Sequence, residues 1–282
     1  MEFTNPGGEI FVPDGKTVDE ALSRTTHMAI GAHQDDLEIM AYHGILECFG
    51  NPDKWFAGVV VTNGAGSPRD DLYANYTDEQ MQVVRRLEQK KAAFLGEYTA
   101  QVLLNFTSSA VKDPANTDVV NDLKAILKAA RPKIIYTHNL ADKHDTHVGS
   151  ALRVIQAIRE LPDDMRPEAL YGCEVWRDLD WMNDDDKIAL DVAAHENLAA
   201  ALLGVFDSQI CGGKRYDLAT IGRRRAHATY HASHGTDETT SLNFAMDLTP
   251  LVRNTSLDVM DYTLGFIKRF EDEIATRVRK LK

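Results

Sequence analysis

Residues 27–38, with the sequence HMAIGAHQDDLE, determine the fold that this chain is predicted to adopt. Their first half, residues 27–32, is a short and mostly apolar run typical of a buried strand. From Asp36 onward the apolar spacing becomes helical, and this pattern continues to Phe49, where Gly50 ends it. The polar residues between the two patterns therefore lie where a strand ends and a helix begins.

Strands and helices alternate in the same way further along the chain. The pattern predicts strands at residues 56–62, 102–106 and 133–137, and helices at residues 77–95, 118–130 and 147–161. Such alternation indicates βαβ crossovers, and thus a Rossmann-like, three-layer α/β/α fold with a mostly parallel sheet. The first two dozen residues are predicted to be irregular. The later part is less regular, with predicted strands at 168–175 and 187–192, a helix at 197–205, and a charged amphipathic helix at 266–282 suited to packing or oligomerisation.

The composition excludes several classes of protein. The 282 residues are 44% hydrophobic and carry a net charge of -12, so the chain would repel a phosphate backbone and nucleic acid is not an expected partner. No run approaches the ~18 apolar residues of a membrane-spanning helix, and residues 1–16 lack the basic and apolar parts of a secretory signal. The three cysteines form no CxxC pair, which predicts a reduced, cytoplasmic protein without a Cys-rich zinc site.

The first group of residues with chemical potential follows the strand at 27–32. Ligands of open α/β sheets bind beyond the carboxyl ends of the strands. His33, Asp35 and Asp36 lie there, and an imidazole beside two carboxylates suits a divalent metal, with one carboxylate as ligand and the other free as a base. The alternative is that Asp35 and Asp36 only cap the following helix.

A second polar group, HNLADKHDTH at residues 138–147, follows the strand at 133–137. His144 and His147 are three residues apart and share a face if the backbone is helical there, while Asp142 and Asp145 are placed to orient the imidazoles. The alternative is a polar loop with incidental histidines. Because both groups lie at the same sheet edge, two His and one Asp together offer three ligands with an open position, the pattern of a catalytic zinc site.

The motifs AHQDD at residues 32–36 and DKHDTH at residues 142–147 resemble those of the PIG-L/LmbE-like family of zinc-dependent N-acetylsugar deacetylases, whose usual forms are AHPDDE and HPDH. The resemblance also covers Thr62-Asn63-Gly64, an R-x-x-E-x-x-x-A pattern beginning at Arg85, and Ser208-Gln209. It spans residues 27–160. It implies a single domain over residues 1–282, in which residues 161–282 complete the sheet and the substrate or oligomer region.

The resemblance also implies a role for each site residue. His33, Asp36 and His147 would ligate zinc, with Fe²⁺ or Mn²⁺ as alternatives for such a ligand set. Asp35 would be the general base that activates water, and His144 would assist at the oxyanion and protonate the leaving amine. Arg85 would reach sugar hydroxyls or a phosphate, the alternative being an exposed helix cation. The implied activity is removal of the acetyl group from an N-acetylglucosamine-type sugar, with or without an anionic group, and the resemblance favours a homo-oligomer.

The sequence departs from the family's motifs in four places. Gln34 replaces the usual Pro, Glu38 comes one residue later than the usual Glu, and Phe206 stands where the family often has His. In HDTH the acidic residue is Asp145, one position earlier than in HPDH, which bears on the orientation and the pKa of His144.

Other functions are compatible with the same residues. An amidase acting on a non-sugar amide would need the same metal, base and acid, and a catalytically idle sugar-binding protein could keep the same fold. A dinucleotide-binding enzyme is disfavoured because Gly64-Ala65-Gly66 lacks the GxGxxG pattern and does not open a helix. The Arg- and His-rich segment 223–234 could cover the site and bind an anionic group, or form a subunit interface.

Overall fold

In the computed structural model, which describes residues 1–282, one mixed sheet of eight strands runs through the molecule. The strands are β1 (Glu9–Phe11), β2 (His27–Gly31), β3 (Phe56–Thr62), β4 (Ala100–Phe106), β5 (Ile134–His138), β6 (Ala169–Cys173), β7 (Lys187–Asp191) and β8 (Leu242–Asp247). Their order across the sheet is β1-β4-β3-β2-β5-β6-β8-β7. The pairs from β4 to β6 are parallel, whereas β1 and β8 run antiparallel to their neighbours. The predicted mostly parallel α/β fold is therefore confirmed.

Twelve helices connect and cover these strands. They are α1 (Val18–Ser23), α2 (Asp36–Met40), α3 (Tyr42–Cys48), α4 (Asp78–Leu95), α5 (Ser108–Lys112), α6 (Asp118–Ala130), α7 (Asp145–Arg159), α8 (Glu196–Gly204), α9 (Asp207–Ile210), α10 (Tyr216–Tyr230), α11 (Thr249–Arg253) and α12 (Val259–Leu281). Short 3₁₀ turns occur at Asp71–Tyr73, Asp163–Met165 and Asp184–Asp186. No helix combines the length and apolar character needed to cross a membrane.

Two apolar cores, one on each face of the sheet, make the three layers. Successive strand residues point to opposite faces, so Val59 of β3 packs in one core and Val60 in the other. The first core is closed by α1, α6, α7 and α11, and the second by α2, α3, α4 and α8. Burial on both faces explains why the central strands are nearly continuous apolar runs in the sequence.

Several predicted elements differ from the observed ones. The predicted helix at 36–49 is two helices, because the backbone leaves helical geometry at Ala41 (φ -115°, ψ 22°). The first two dozen residues are not irregular: they contain β1, which pairs with β4, and α1. The last helix begins at Val259, not at residue 266. A three-residue strand is too short to show a period in sequence, and only its pairing partner defines it.

The sheet order places a topological switch at its centre. From β2 the chain proceeds to β3 and β4 on one side, then returns to β5 and β6 on the other. The connections leaving β2 and β5 therefore diverge and leave a crevice between them at the carboxyl ends of the strands. Both polar groups singled out in the sequence follow these two strands.

Candidate metal centre

The loop after β2 carries the first side chains of the centre. Asp35 lies at the N-terminal end of α2 with φ 82°, a left-handed conformation that is strained for a residue other than glycine. Its backbone N–H donates to Gln89 Oε1 at 3.2 Å, and the N–H of His33 donates to Asp36 Oδ2 at 2.6 Å. Gln34, the residue in place of Pro, is buried and donates to the carbonyl of Thr62 at 3.2 Å. These bonds fix the loop so that the side chains of His33 and Asp36 converge.

The second loop brings His147 to the same point. His33 Nδ1 lies 3.2 Å from His147 Nε2 and 3.4 Å from Asp36 Oδ2, and His147 Nε2 lies 3.5 Å from Asp36 Oδ1. Ligands bound at about 2.0–2.1 Å in tetrahedral geometry are about 3.3 Å from one another. The two histidine nitrogens therefore have the spacing of neighbouring tetrahedral ligands, and each lies close to a different oxygen of Asp36.

Outer contacts place His147 in the tautomer that a ligand needs. Its Nδ1 lies 3.3 Å from Asp142 Oδ2, and Asp142 also accepts the N–H groups of His144 at 3.0 Å and Trp176 at 3.1 Å. An Nδ1–H donated to this carboxylate leaves the Nε2 lone pair facing His33 and Asp36. Burial, followed by the charge of His138, lowers the pKa of His147 to about 4, so the imidazole is neutral at pH 7.

Asp36 and Asp35 are adjacent carboxylates with opposite pKa shifts. Burial acts to raise the pKa of Asp36, but the neighbouring His147 and His138 outweigh it and hold that pKa well below its ordinary value. Burial raises the pKa of Asp35 to about 7, against the opposing charge of Arg85 and with a further rise from Asp36. One carboxylate is thus held ionised, and its neighbour takes up a proton near neutral pH, the property of a general base.

The guanidinium of Arg85 is hydrogen-bonded to the loop after β2 and to Glu88 of its own helix. Its side chain is 1% exposed; Nη2 donates to the carbonyl of Gln34 and, at 3.1 Å, to Asp35 Oδ2, while Nη1 donates to Glu88 Oε2 at 3.2 Å. Ser208 completes this cluster by donating its N–H and its hydroxyl to Glu88, each at 2.7 Å. The residues noted as R-x-x-E and S-Q in the sequence therefore meet in space, and the Nη2 group of Arg85 supports Asp35.

His144 lies at the opening of the centre. Its ring stacks on that of His147 with centroids 4.4 Å apart, and its centroid is 5.0 Å from that of His33. Its Nδ1 is buried without a hydrogen-bond partner. Burial and the charge of His33 lower the pKa of His144. A partnerless ring nitrogen beside the cluster fits the predicted role of contacting the substrate.

His138 is part of the centre although no role was predicted for it. It is fully buried as the last residue of β5, stacks on His147 with centroids 3.9 Å apart, and places Nε2 3.2 Å from Asp36 Oδ2. The N–H of Ala32 donates to that same Nε2 at 2.9 Å, which occupies its lone pair. His138 therefore packs against the ring of His147 and lies beside Asp36. The strand-end rule that selected His33 would have identified it.

Two further ligand combinations compete with the predicted one. Three ligand atoms lie within 4.8 Å of one another in His33, His144 and His147, and in Asp36, His138 and His147, whereas the predicted set meets through both oxygens of Asp36. The second set uses the nitrogen that Ala32 occupies, and the first contains no carboxylate to balance the charge of the ion. His33, Asp36 and His147 combine free lone pairs with one negative charge.

A polar cavity of about 330 Å³ opens onto these residues. His33, Asp35, Asp36, Arg85 and His144 line its base, and the walls include Ser67, Ser108, Lys112, Thr146, Trp176, Lys214 and Tyr216. Tyr216 meets Trp176 edge to face at 6.2 Å, and Lys214 Nζ lies 4.8 Å from the centre of the Trp176 ring. An aromatic pair and two lysines therefore form part of the cavity wall, which the sequence motifs did not indicate.

The Arg- and His-rich segment 223–234 lies mainly in α10, and three of its side chains bond to other parts of the protein. Arg224 is buried and donates to Asn243 Oδ1 at 3.1 Å and to the carbonyls of residues 38 and 39. His227 Nε2 lies 2.9 Å from Glu174 Oε1. Arg223 donates to the carbonyl of Val175. None of these three side chains lines the cavity.

The fold and the side chains together define a Rossmann-like α/β protein with a His/Asp cluster at its topological switch point. Residues 28–158 match the family model described as PIG-L, GlcNAc-PI de-N-acetylase, which confirms the resemblance predicted from the motifs. No curated protein matches the sequence closely enough to support an assignment.

Solved structures share this fold at low sequence identity. The 4-carboxy-2-hydroxymuconate hydratase GalB from Pseudomonas putida KT2440 is 15% identical, with a TM-score of 0.62 over 79% of this chain and 96% of that one. The N,N'-diacetylchitobiose deacetylase from Pyrococcus horikoshii is 15% identical, with a TM-score of 0.59 over 82% and 88% of the chains. The A40926 pseudoaglycone deacetylase Dbv21 is 13% identical, with a TM-score of 0.58 over 80% and 97%. At these identities the likeness shows the fold alone.

Proposed function

We propose that this protein is a metal-dependent hydrolase that removes the acetyl group from an N-acetylated sugar bearing an anionic group. The observation that carries the proposal is the convergence of His33, Asp36 and His147: the two imidazole nitrogens are 3.2 Å apart, and each lies within 3.5 Å of an Asp36 oxygen. The match to the PIG-L family model and the deacetylases among the structural neighbours support the reaction class.

The donor set fits a divalent metal, which when bound would polarise the amide carbonyl and lower the pKa of water. Asp35 would accept the proton of the attacking water, since burial holds its pKa near that of a base at neutral pH. Arg85 would keep the carboxylate of Asp35 in place through the bond at 3.1 Å. His144 would contact the carbonyl oxygen and deliver a proton to the departing amine from the cavity side.

The cavity wall supports a small, anionic, sugar-like substrate. Trp176 and Tyr216 offer aromatic faces on which the apolar face of a sugar ring can pack, and Ser67, Ser108 and Thr146 offer hydroxyls. Lys112 and Lys214 line the cavity without a carboxylate within 4.0 Å, in a chain with net charge -12. Two unpaired cations in an acidic protein favour a phosphate or carboxylate on the substrate.

The test is acetate release from paired N-acetylglucosamine derivatives that differ only in a phosphate, with and without chelator and added zinc. We expect chelator-sensitive release, faster for the anionic member of each pair, and slowed by about 100-fold or more in Asp35→Asn. The variants Lys112→Ala and Lys214→Ala should raise KM for the anionic substrate only. Lys143→Ala is the matched control, because its Nζ lies 5.7 Å from the Trp176 ring but its side chain does not line the cavity. Metal-loaded protein that releases no acetate from any member would contradict the proposal.

A second candidate is addition of water to an unsaturated carboxylic acid. Two observations favour it: GalB, a hydratase, has the same fold, and the unpaired Lys112 and Lys214 would bind a carboxylate equally well. Loss of ultraviolet absorbance from a conjugated dienoic acid, without acetate release from any sugar, would select this candidate over deacetylation.

A further inference from the structure

The C-terminal helix α12 carries an apolar face with no partner in the chain. Only Phe266 of its 23 residues is buried. Six large apolar side chains remain exposed, from 44% for Ile267 to 78% for Leu281. These six are Met260, Leu264, Ile267, Ile274, Val278 and Leu281, and together with Glu271 they are called the α12 stripe.

The spacing of the α12 stripe is that of a coiled coil. From residue 260 to residue 281 the steps alternate between four and three residues. This 3.5-residue average places every member on one narrow face that can pack against a second helix. Helices that merely cover a globular core use a wider face with a period of 3.6 residues. In α12 the core contact is made by other residues, Tyr262 and Phe266, which meet each other at 5.3 Å.

The two halves of α12 differ in how they are anchored. In the first half, the Tyr262 hydroxyl donates to the carbonyl of Asp247 at 2.7 Å, and Arg269 binds Asp186 at 2.8 Å. In the second half, residues 271–281, no residue is buried, and the ion pair of Arg277 lies within the helix. A helical segment of about three turns is only marginally stable alone in water. An apolar partner along the stripe would supply the missing burial.

An apolar groove of about 970 Å³ runs along the first half of α12. Met260, Leu264 and Ile267 of the stripe form one wall, and Val148 and Leu152 of α7 form part of the other. Ten of its 14 lining residues are hydrophobic, so it suits a row of aliphatic side chains and not a polar ligand. The second half of the stripe, with Ile274, Val278 and Leu281, is such a row, but it lies further along the same helix and cannot fill the groove of its own chain.

We propose that α12 pairs with α12 of a second copy as an antiparallel two-helix coiled coil, each groove receiving the partner's second half. The distribution of charge favours this direction. The start of α12 is acidic, with Asp258 and Asp261, and its end is basic, with Arg277, Arg279 and Lys280. Antiparallel pairing brings the acidic start of each helix beside the basic end of the other.

A parallel pair would instead place like charges together. Glu271 occupies a stripe position, and a parallel, in-register pair would bring the two copies of this carboxylate face to face in the apolar seam. In the antiparallel pair each Glu271 meets Ile274 and can keep its ion pair with Lys268, which is 3.0 Å long, at the edge of the seam. The pairing is symmetric, so one patch serves both copies.

Charge also selects the register. In the register that sets Leu264 opposite Leu281, and Ile267 opposite Val278, Asp261 lies opposite Lys282. Sliding one helix by a heptad would set Lys268 opposite the second copy's Lys268, and the two like charges would repel each other at the edge of the seam. The first register therefore satisfies both the apolar layers and the flanking charges.

The first test is the mass of the full-length, metal-loaded protein by sedimentation equilibrium from nanomolar to micromolar concentrations. We expect a dimer, and we expect the double variant Val278→Lys/Leu281→Lys to raise the dissociation constant by about 100-fold or more, since it sets charges opposite Ile267 and Leu264 of the second copy. Thr276→Lys, on the opposite side of the same turns, is the matched control and should remain dimeric. A monomeric wild type, or a double variant that stays dimeric, would overturn the proposal.

The second test establishes the direction of the helices by cross-linking in a Cys211→Ser background. A mixture of Leu264→Cys and Leu281→Cys proteins should form a mixed disulfide on air oxidation, whereas each variant alone should not cross-link. Efficient cross-linking of Glu271→Cys alone, without the mixed species, would indicate a parallel pair and overturn the arrangement proposed here. Thermal unfolding of each variant distinguishes loss of pairing from loss of the fold.

Discussion

Asp35 shows at the scale of one residue how the loop after β2 serves chemistry. Its positive φ of 82° is unfavourable for an L-residue other than glycine, yet it turns the carboxylate away from capping α2, and no side-chain cap bond forms. The alternative interpretation of Asp35 as a helix cap therefore does not hold. Asp36 likewise bonds to the N–H of His33, not to a helix amide.

The Asp35→Asn variant tests the division of labour between the two carboxylates. Removing the base should lower kcat by a factor of about 100 or more, within the range attributed to general bases. The metal content, measured by atomic absorption, should stay near that of the wild type because Asp35 is outside the proposed ligand set. Equal loss of metal and turnover would make Asp35 a ligand instead.

The Arg85→Gln variant tests whether this side chain positions Asp35 or binds substrate. We expect kcat to fall by about 10- to 100-fold with a small change in KM, as for other groups that orient catalytic residues. The charge of Arg85 opposes the upward shift in the pKa of Asp35, so its loss should move the acid limb of the pH–rate profile to higher pH. Arg86→Gln is the matched control, since Arg86 pairs with Glu9 at 2.9 Å on the surface. A rise in KM alone would instead support the predicted contact of Arg85 with the substrate.

At the scale of elements, a buried histidine at the start of β2 makes the free energy of unfolding depend on pH. It lies at the opposite end of this strand from the candidate centre. His27 is buried as the first residue of this strand, with Nδ1 2.9 Å from the Thr26 hydroxyl. Burial, and then the charge of Lys54, lowers the pKa of His27 to about 4. The unfolded chain titrates near 6.5. The unfolded state binds the proton more tightly than the folded state. The contribution of neutral His27 to the free energy of unfolding is therefore complete above pH 6.5 and is lost as the pH falls towards 4.

This linkage predicts a loss of about 2 kcal/mol in the free energy of unfolding between pH 7.5 and pH 5 from His27 alone. The His27→Gln variant should show a pH dependence that is shallower by about this amount, as measured by urea unfolding at the two pH values. The exposed His234→Gln is the matched control. If His27→Gln and the wild type lose stability in parallel, the buried imidazole is not the source.

At the scale of the whole molecule, the candidate centre joins segments that are distant in the chain. Residues 33–36 and residue 147 belong to connections leaving two neighbouring strands, and α7 packs on the opposite core from α2. A metal that binds the folded state and not the unfolded chain stabilises the entire domain by mass action.

Metal loading should therefore raise the thermal midpoint of chelator-treated protein. At a free concentration 100 times the dissociation constant the gain is about 2.7 kcal/mol, which corresponds to a rise of roughly 5–10 °C in Tm for a chain of this size. His147→Ala should show little or no rise under the same conditions, measured by calorimetry. An equal rise in both proteins would place the binding site elsewhere.

The sequence by itself determined the fold class and the region of the site. The apolar runs of β2, β3 and β5 and the helical periods of α4 and α6 are strong local signals, and the strand-end rule then placed His33, Asp36 and His147 at one edge. These predictions succeed because buried parallel strands and helix caps depend on nearby residues.

Only the tertiary structure decided what those side chains contact. Whether Arg85 is exposed, whether His138 has a free lone pair, and whether Lys112 and Lys214 face one cavity depend on contacts between residues far apart in sequence. Edge strand β1 and the partnerless face of α12 are likewise invisible to local patterns, because each is defined by what lies beside it. The periodicity of the sequence shows which face of a helix or strand is apolar. Which residues that face and its polar neighbours contact depends on tertiary packing.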